Sequence, residues 1–184
     1  MNKPLLIIVT GRPASGKSTL AAILAREIKC PLISRDELKE GYINTLGVQH
    51  EQLDNSAAWH IYRLFFEVIY LLVSKGVSLV VEAAFQEHLW KPQLLTLRDK
   101  TDIRIIICEP GPDLARARFA NRLQTNPDRD RFHGDKLVKE TGGLQTDAYI
   151  PVDMDVPTLV VDTTDHYQPD IGQVLSFIRK KNPR

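Results

Sequence analysis

Cysteine is scarce in this 184-residue chain, with Cys30 and Cys108 the two present. Two cysteines cannot build a disulfide framework. Each sits beside an apparent strand and reads as a reduced core thiol of a cytoplasmic protein. Long apolar runs are missing as well. The first, Leu5–Val9, is too short for a signal-peptide core and far too short to span a bilayer. The expectation is a soluble protein with no membrane partner. An excess of one charge is also lacking: 24 Lys and Arg stand against 23 Asp and Glu, a formal net charge of +1. No global field draws in nucleic acid or an anionic membrane, although a local basic patch is left open. No period of 20–50 residues repeats and no segment is of low complexity, which excludes solenoids and linkers. The hydrophobic fraction of 43% and charged fraction of 26% are those of an ordinary globule. The length fits one domain over residues 1–184.

What is present is an alternation. Short apolar runs occur at Leu5–Val9, Pro31–Ser34, Val77–Val81, Ile103–Cys108 and Leu159–Val161. Most carry no polar alternation, as expected of strands covered on both faces in a parallel sheet. Between them lie helical patterns. From about Asn55 to Lys75, Tyr62, Phe65, Phe66, Ile69, Leu72 and Val73 recur at helical spacing, and Gly76 follows as a C-terminal stop. Leu20–Ile28, Leu114–Leu123 and the segment after Pro169, with basic Arg179–Lys181 at its end, are also helical in pattern. Strand–helix alternation five times over predicts a right-handed, doubly wound α/β fold. The stretch from Gln124 to Met154 breaks the rhythm with Asn-Pro-Asp, Gly-Gly and Ile-Pro, and is read as a lid insertion centred on residues 124–147.

After the first run stands Gly11-Arg12-Pro13-Ala14-Ser15-Gly16-Lys17-Ser18-Thr19, the pattern G-x-x-x-x-G-K-[ST] between strand and helix. The glycines let successive N–H groups converge on a phosphate, and the helix that follows directs its positive dipole end at the same charge. Lys17 is placed to reach the β- and γ-phosphates and the Ser18 hydroxyl to ligate Mg²⁺. Four fixed positions match by accident in roughly one chain in a hundred at ordinary glycine frequency. The expected ligands are ATP and Mg²⁺.

Further residues carry a family resemblance. The P-loop, then Ser34-Arg35-Asp36-Glu37-Leu38-Lys39 after the second run, then Arg118-x-x-x-Arg122 before the lid, is similar to the small P-loop kinases. The branch it resembles contains polynucleotide 5′-hydroxyl kinase, chloramphenicol phosphotransferase, gluconate kinase and the zeta-toxin kinases. The resemblance implies a five-stranded parallel sheet of order 2-3-1-4-5 flanked by helices, a closing lid, and transfer of the ATP γ-phosphoryl group to a hydroxyl. It implies Asp36 as the catalytic carboxylate, with Arg35 and Lys39 toward the acceptor; here Lys39 stands where the pattern has arginine. A carboxylate at a strand end can accept the acceptor's hydroxyl proton, or Asp36 can simply cap a short helix over Glu37–Gly41. Glu82, ending the third run, resembles the acid that holds Mg²⁺ through water, or is an ordinary strand-end carboxylate. Arg118 and Arg122 share a helix face; the resemblance sets one against adenine and the other, catalytic, on the phosphates. Between residues 116 and 139, seven basic residues against three acidic ones leave +4, with Arg131 and His133 as lid contacts. Glu87 and His88 could face the acceptor, and Thr163–Asp165 either edge the adenine or form a turn.

The leading reading is therefore an ATP-dependent kinase acting on a hydroxyl of a small molecule. A polynucleotide 5′-hydroxyl kinase shares the P-loop and Asp36 but is less favoured at near-zero net charge. A GTPase-type switch needs an Asn-Lys-x-Asp guanine reader; the nearest string, Arg98-Asp99-Lys100-Thr101-Asp102, does not match.

Overall fold

The computed structural model describes residues 3–125, 129–133 and 149–180. In chain order these form β1 (Leu5–Gly11), α1 (Lys17–Ile28), β2 (Leu32–Ser34), α2 (Arg35–Leu46), a 3₁₀ turn (His50–Gln52), α3 (Asn55–Ser74), β3 (Leu79–Glu82), α4 (Glu87–Leu97), β4 (Asp102–Cys108), α5 (Pro112–Thr125), α6 (Asp130–His133), β5 (Thr158–Val161) and α7 (Ile171–Arg179). The five strands make one parallel sheet in the order β2-β3-β1-β4-β5, as expected. Alternate residues of each strand feed opposite faces. Leu6 and Ile8 of β1, with Leu79 and Val81 of β3, pack on α3 and α4 through Phe65, Phe66, Ile69, Trp90 and Leu94. Ile7, Val9, Val80 and Ile106 pack instead on α1 and α7, against Leu20, Leu24, Val174 and Ile178. Helices on both faces explain why the strands read as unbroken apolar runs.

α3 ends as predicted. Gly76 adopts φ 78°, its N–H donates to Val73 O, and Val77 N donates to Leu72 O, the paired bonds of a Schellman stop. By length and composition α3 is, among the described residues, the one helix apolar enough to cross a membrane. Six of its residues, including Ile61, Phe65 and Ile69, are buried beneath the sheet. Two elements differ from expectation. The short helix expected over Glu37–Gly41 runs the length of α2, because Gly41 meets nothing within 4 Å and costs only its ~1 kcal/mol of propensity. The true stop is Gly47, left-handed at φ 68°. α4 forms despite Pro92 in its interior, which masks the helical signal in the sequence. His88, whose carbonyl loses its donor to the proline, is exposed and open to water.

The cysteines are free thiols, as expected. Cys108 is 1% exposed and burial pushes its pKa up to about 12, which leaves it inert at neutral pH. Phe65 is fully buried at the centre of the aromatic cluster formed with Phe66, Phe85 and Trp90. Phe65→Ala is expected to cost about 3–5 kcal/mol, from lost transfer energy and the cavity left behind. Chemical denaturation checks this, and a loss under about 1 kcal/mol would contradict the packing described.

Candidate active site

Parallel register delivers the site. β2 pairs Ser34 with Glu82 of β3, β3 pairs Glu82 with Val9 of β1, and β1 pairs Gly11 with Cys108 of β4. Four strands thus end side by side at the carboxyl edge of the sheet, where ligands of open α/β folds bind. The P-loop leaves β1 there. Gly11 has φ 153°, and a Cβ on it would lie 2.5 Å from both the Cys108 carbonyl oxygen and Ser15 Oγ, so no side chain fits. Ala14 at φ 61° and Gly16 at φ 83° are left-handed, the backbone of an anion-binding nest. The strain at Ala14, a residue with a Cβ, is of the order of 1 kcal/mol or more and belongs to a loop held by its surroundings. Ser15 is fully buried and its Oγ has no hydrogen-bond partner. Arg12 is half-buried and Pro13 exposed, while Ser18 and Thr19, on the first turn of α1, are open to solvent.

Lys17 begins α1 and is 9% exposed, with Nζ 3.6 Å from Glu82 Oε1. Glu82 is 1% exposed, and its Oε2 accepts a 2.9 Å bond from Ser34 Oγ. Oε1 accepts no hydrogen bond. Burial pushes the Glu82 carboxyl above its ordinary pKa, with Lys17 and Ser34 countering only in part. The Ser34 hydroxyl also caps α2, accepting a long 3.5 Å bond from Glu37 N. Asp36 is therefore not the cap, and that alternative is replaced by Ser34. The clue was present in Ser34-Arg35-Asp36-Glu37, a Ser-x-x-Glu helix start.

Asp36 lies one residue into α2, half-buried. Burial raises its pKa, but His133, Lys17, Arg35 and Arg129 together hold it below the ordinary value. Arg35 Nη1 and Arg129 Nη2 each stand 3.8 Å from its carboxylate. Of the lid contacts expected, His133 reaches the site through Glu40 of α2, its Nε2 2.7 Å from Oε1. Burial lowers its pKa, and the bond to Glu40 counters this only in part. Arg131 is exposed, its guanidinium 5.3 Å from the Phe132 ring; Arg129, just before α6, is the arginine beside Asp36. Lys39 is half-buried on α2. The rest of the predicted lid, residues 126–128 and 134–148, lies outside the described residues.

On the other side of the P-loop a cavity of about 480 Å³ is lined by Gly16, Thr19, Arg118, Arg122, Thr163 and Tyr167 among others. Arg118 Nη2 donates to Thr163 O at 2.7 Å and Thr164 O at 2.8 Å, and Thr163 Oγ1 donates to Ser15 O at 2.7 Å. Arg118 thus ties the turn after β5 to the P-loop, while Arg122 lines the same cavity. Glu87 pairs with Lys91 and accepts from Asp153 N, anchoring α4 to the chain before β5. Tyr149, unmarked in the sequence, hydrogen-bonds Thr10 at 2.7 Å below the P-loop.

The residues fit a magnesium nucleotide. Unmet polar atoms at Ser15 and Glu82 surround a cradle that a Cβ would fill. Among the described residues no three His, Cys, Asp or Glu side chains cluster to hold a metal alone. Mg²⁺ with a nucleotide takes one or two protein ligands and completes its shell with phosphates and water.

Sheet order, P-loop and strand-end acids define a P-loop NTPase of kinase-like fold. The chain belongs to the AAA domain family, whose sequence profile matches residues 6–141. Solved structures agree with the branch the sequence resembles. A candidate kinase from Chloroflexus aurantiacus is 26% identical with a TM-score of 0.78, the match covering 97% of this chain and 96% of that one. A gluconokinase from Sinorhizobium meliloti is 17% identical with a TM-score of 0.57, covering 97% and 93%. The APS kinase of Mycobacterium tuberculosis, in complex with AMPPNP and APS, is 15% identical with a TM-score of 0.64, covering 98% and 100%. The last two show a shared fold alone. No curated protein matches the chain.

Gly11→Ala is expected to destabilise the fold by about 2 kcal/mol or more, since the added methyl meets a backbone carbonyl. Thermal and chemical denaturation read this directly. A wild-type midpoint would mean the cradle is looser than described.

Proposed function

We propose that the chain is an ATP-dependent kinase that transfers the γ-phosphoryl group to a hydroxyl of a small-molecule acceptor. One observation carries the reading: a buried lysine and two carboxylates, Glu82 and Asp36, converge at one sheet edge, where Lys17, Arg35 and Arg129 favour the ionised form of Asp36. The similarity to solved kinases supports it. The P-loop N–H groups and Lys17 would hold the ATP phosphates, and Arg118, Arg122 and Thr163 would bound the base and ribose. Ser18 would ligate Mg²⁺ and Glu82 would hold it directly or through water. When bound, that ion supplies positive charge against the phosphate oxygens.

Asp36 accepts a hydrogen bond from the acceptor hydroxyl, orients its oxygen, and receives its proton as transfer proceeds. A carboxylate with a lowered pKa is a weak base. Its main contribution is orientation, consistent with a loose transition state in which proton transfer is late. Arg129, beside it, keeps that carboxylate charged, and Arg35 and Lys39 line the acceptor side of α2. A phosphate acceptor would meet Asp36 as a like charge, worth about 4 kcal/mol at ~4 Å and an effective dielectric of ~20. A neutral hydroxyl does not. The chain is best treated as one domain with the lid as an insertion, and its free thiols support a cytoplasmic setting.

The deciding experiment is ADP release against a panel of sugars, nucleosides, antibiotics and 5′-hydroxyl oligonucleotides. Turnover with a small neutral alcohol is expected. Preferred transfer to the phosphate of AMP, CMP or UMP would overturn the reading, and preference for oligonucleotides would move it to end repair. Lys17→Ala is expected to lower kcat roughly 10²–10³-fold with the far-UV spectrum unchanged; retention of a tenth of the activity would remove the lysine from the chemistry. Asp36→Asn is expected to lower kcat about 10²-fold or more with ATP affinity intact. Because the Asp36 pKa is lowered, its charge is fully present above the ordinary carboxylate value and is lost only as pH falls below it. The kcat profile should therefore show no acid limb from Asp36 above its ordinary value of 3.8, and a limb above that value that is lost in Asp36→Asn would contradict the ion-pair account.

A further inference from the structure

α3 has a second face. Its inner side is spent on the sheet, yet Trp59 is 54% exposed, Tyr70 47% and Leu71 58%. These residues run along one outward stripe with Arg63 and Glu67, since positions three and four apart share a helix face. A groove of about 570 Å³ opens along that stripe, with Gln93 of α4 on its far wall. Arg63 and Glu67 are one turn apart, but among the described residues neither has an ion-pair partner. Arginine preceding glutamate is the less favourable order within a helix.

From this face we infer a docking surface for a second copy of the chain, in a two-fold dimer with α3 packed antiparallel on its mate. Self-complementarity of the stripe carries this, independently of the kinase reading. A two-fold axis crossing midway between Arg63 and Glu67 sets Arg63 of each copy level with Glu67 of the other. The same operation sets Trp59 level with Leu71. Opposite charges meet twice at the centre, and an aromatic residue meets an aliphatic one at each end. An isologous interface requires that palindromic order; a membrane or an unrelated protein does not. An anionic bilayer would be opposed by Glu67 in the middle of the apolar stripe. The stripe is short, about 18 Å from Trp59 to Leu71 at 1.5 Å per residue, so the interface is small and the dimer a weak one.

Sedimentation velocity on the full chain tests this. Wild type is expected to be dimeric at about 100 µM and to dissociate on dilution. Arg63→Glu and Glu67→Arg each put like charges opposite one another twice, and each is expected to weaken the dimer roughly 10–100-fold. An equimolar mixture of the two single variants should dimerise again, as should the variant carrying both changes, because each restores opposite charges. Both substitutions are on an exposed face, and unchanged thermal melts separate loss of dimer from loss of fold. A monomeric wild type, whether or not it captures phosphatidylglycerol vesicles, overturns the inference. So does a mixture that stays monomeric, or single variants that dimerise as wild type does.

Discussion

Holding the Lys17 ammonium 3.6 Å from the Glu82 carboxylate inside the fold is the constraint on which the site depends. Two charges taken out of water lose several kcal/mol of solvation each, and at this distance their attraction is not a full hydrogen bond. Packing elsewhere must impose the arrangement. The sheet does so by register: Glu82 is locked between Val9 and Ser34 on its two neighbouring strands, and Lys17 is fixed by the P-loop turn. The helices on both faces supply the apolar burial that makes this register costly to leave. What the pair lacks, a polyanion for the lysine and a cation for the glutamate, is what a magnesium nucleotide carries.

The two carboxylates of the site are driven in opposite directions. Glu82, enclosed and near one cation, is raised; Asp36, less enclosed and ringed by cations, is lowered. Neighbouring acids with pKa values pushed apart take different roles. In the proposed kinase Glu82 would serve the metal and phosphates, and Asp36 the acceptor. Arg129 and His133 reach this second acid from α6 and the residue before it, so its charge depends on a segment distant in sequence from the P-loop.

The P-loop and the strands were legible because local chemistry and global fold agree there: β1 is apolar from Leu5 to Val9 and the glycines sit where φ or contact demands them, while the strand order followed from the family resemblance. Other features were not. Pro92 hid α4, since a proline breaks the very period by which a helix is read. Gly41 was mistaken for a helix end because its exposure, which makes it tolerable, is a tertiary fact. Arg131 and Arg129 are indistinguishable by charge count; their positions two apart at a short helix send them in different directions. Tyr149 could not be found, because its link to Thr10 spans the whole lid. Ser34 could have been found from its helix-start pattern, although its bond to Glu82 depends on strand pairing.

Thr163, in the turn after β5, lines the cavity beside the P-loop and, with Thr164, is tied to Arg118, yet both lie beyond the stretch matched by the family profile. On the proposed kinase reading, the wall that would face the nucleobase and the loop that would face the phosphates are thus separately encoded, joined where Thr163 bonds the Ser15 carbonyl. Nucleobase preference and phosphate chemistry can then diverge independently. Relatives that share every residue of the P-loop need not share a nucleotide.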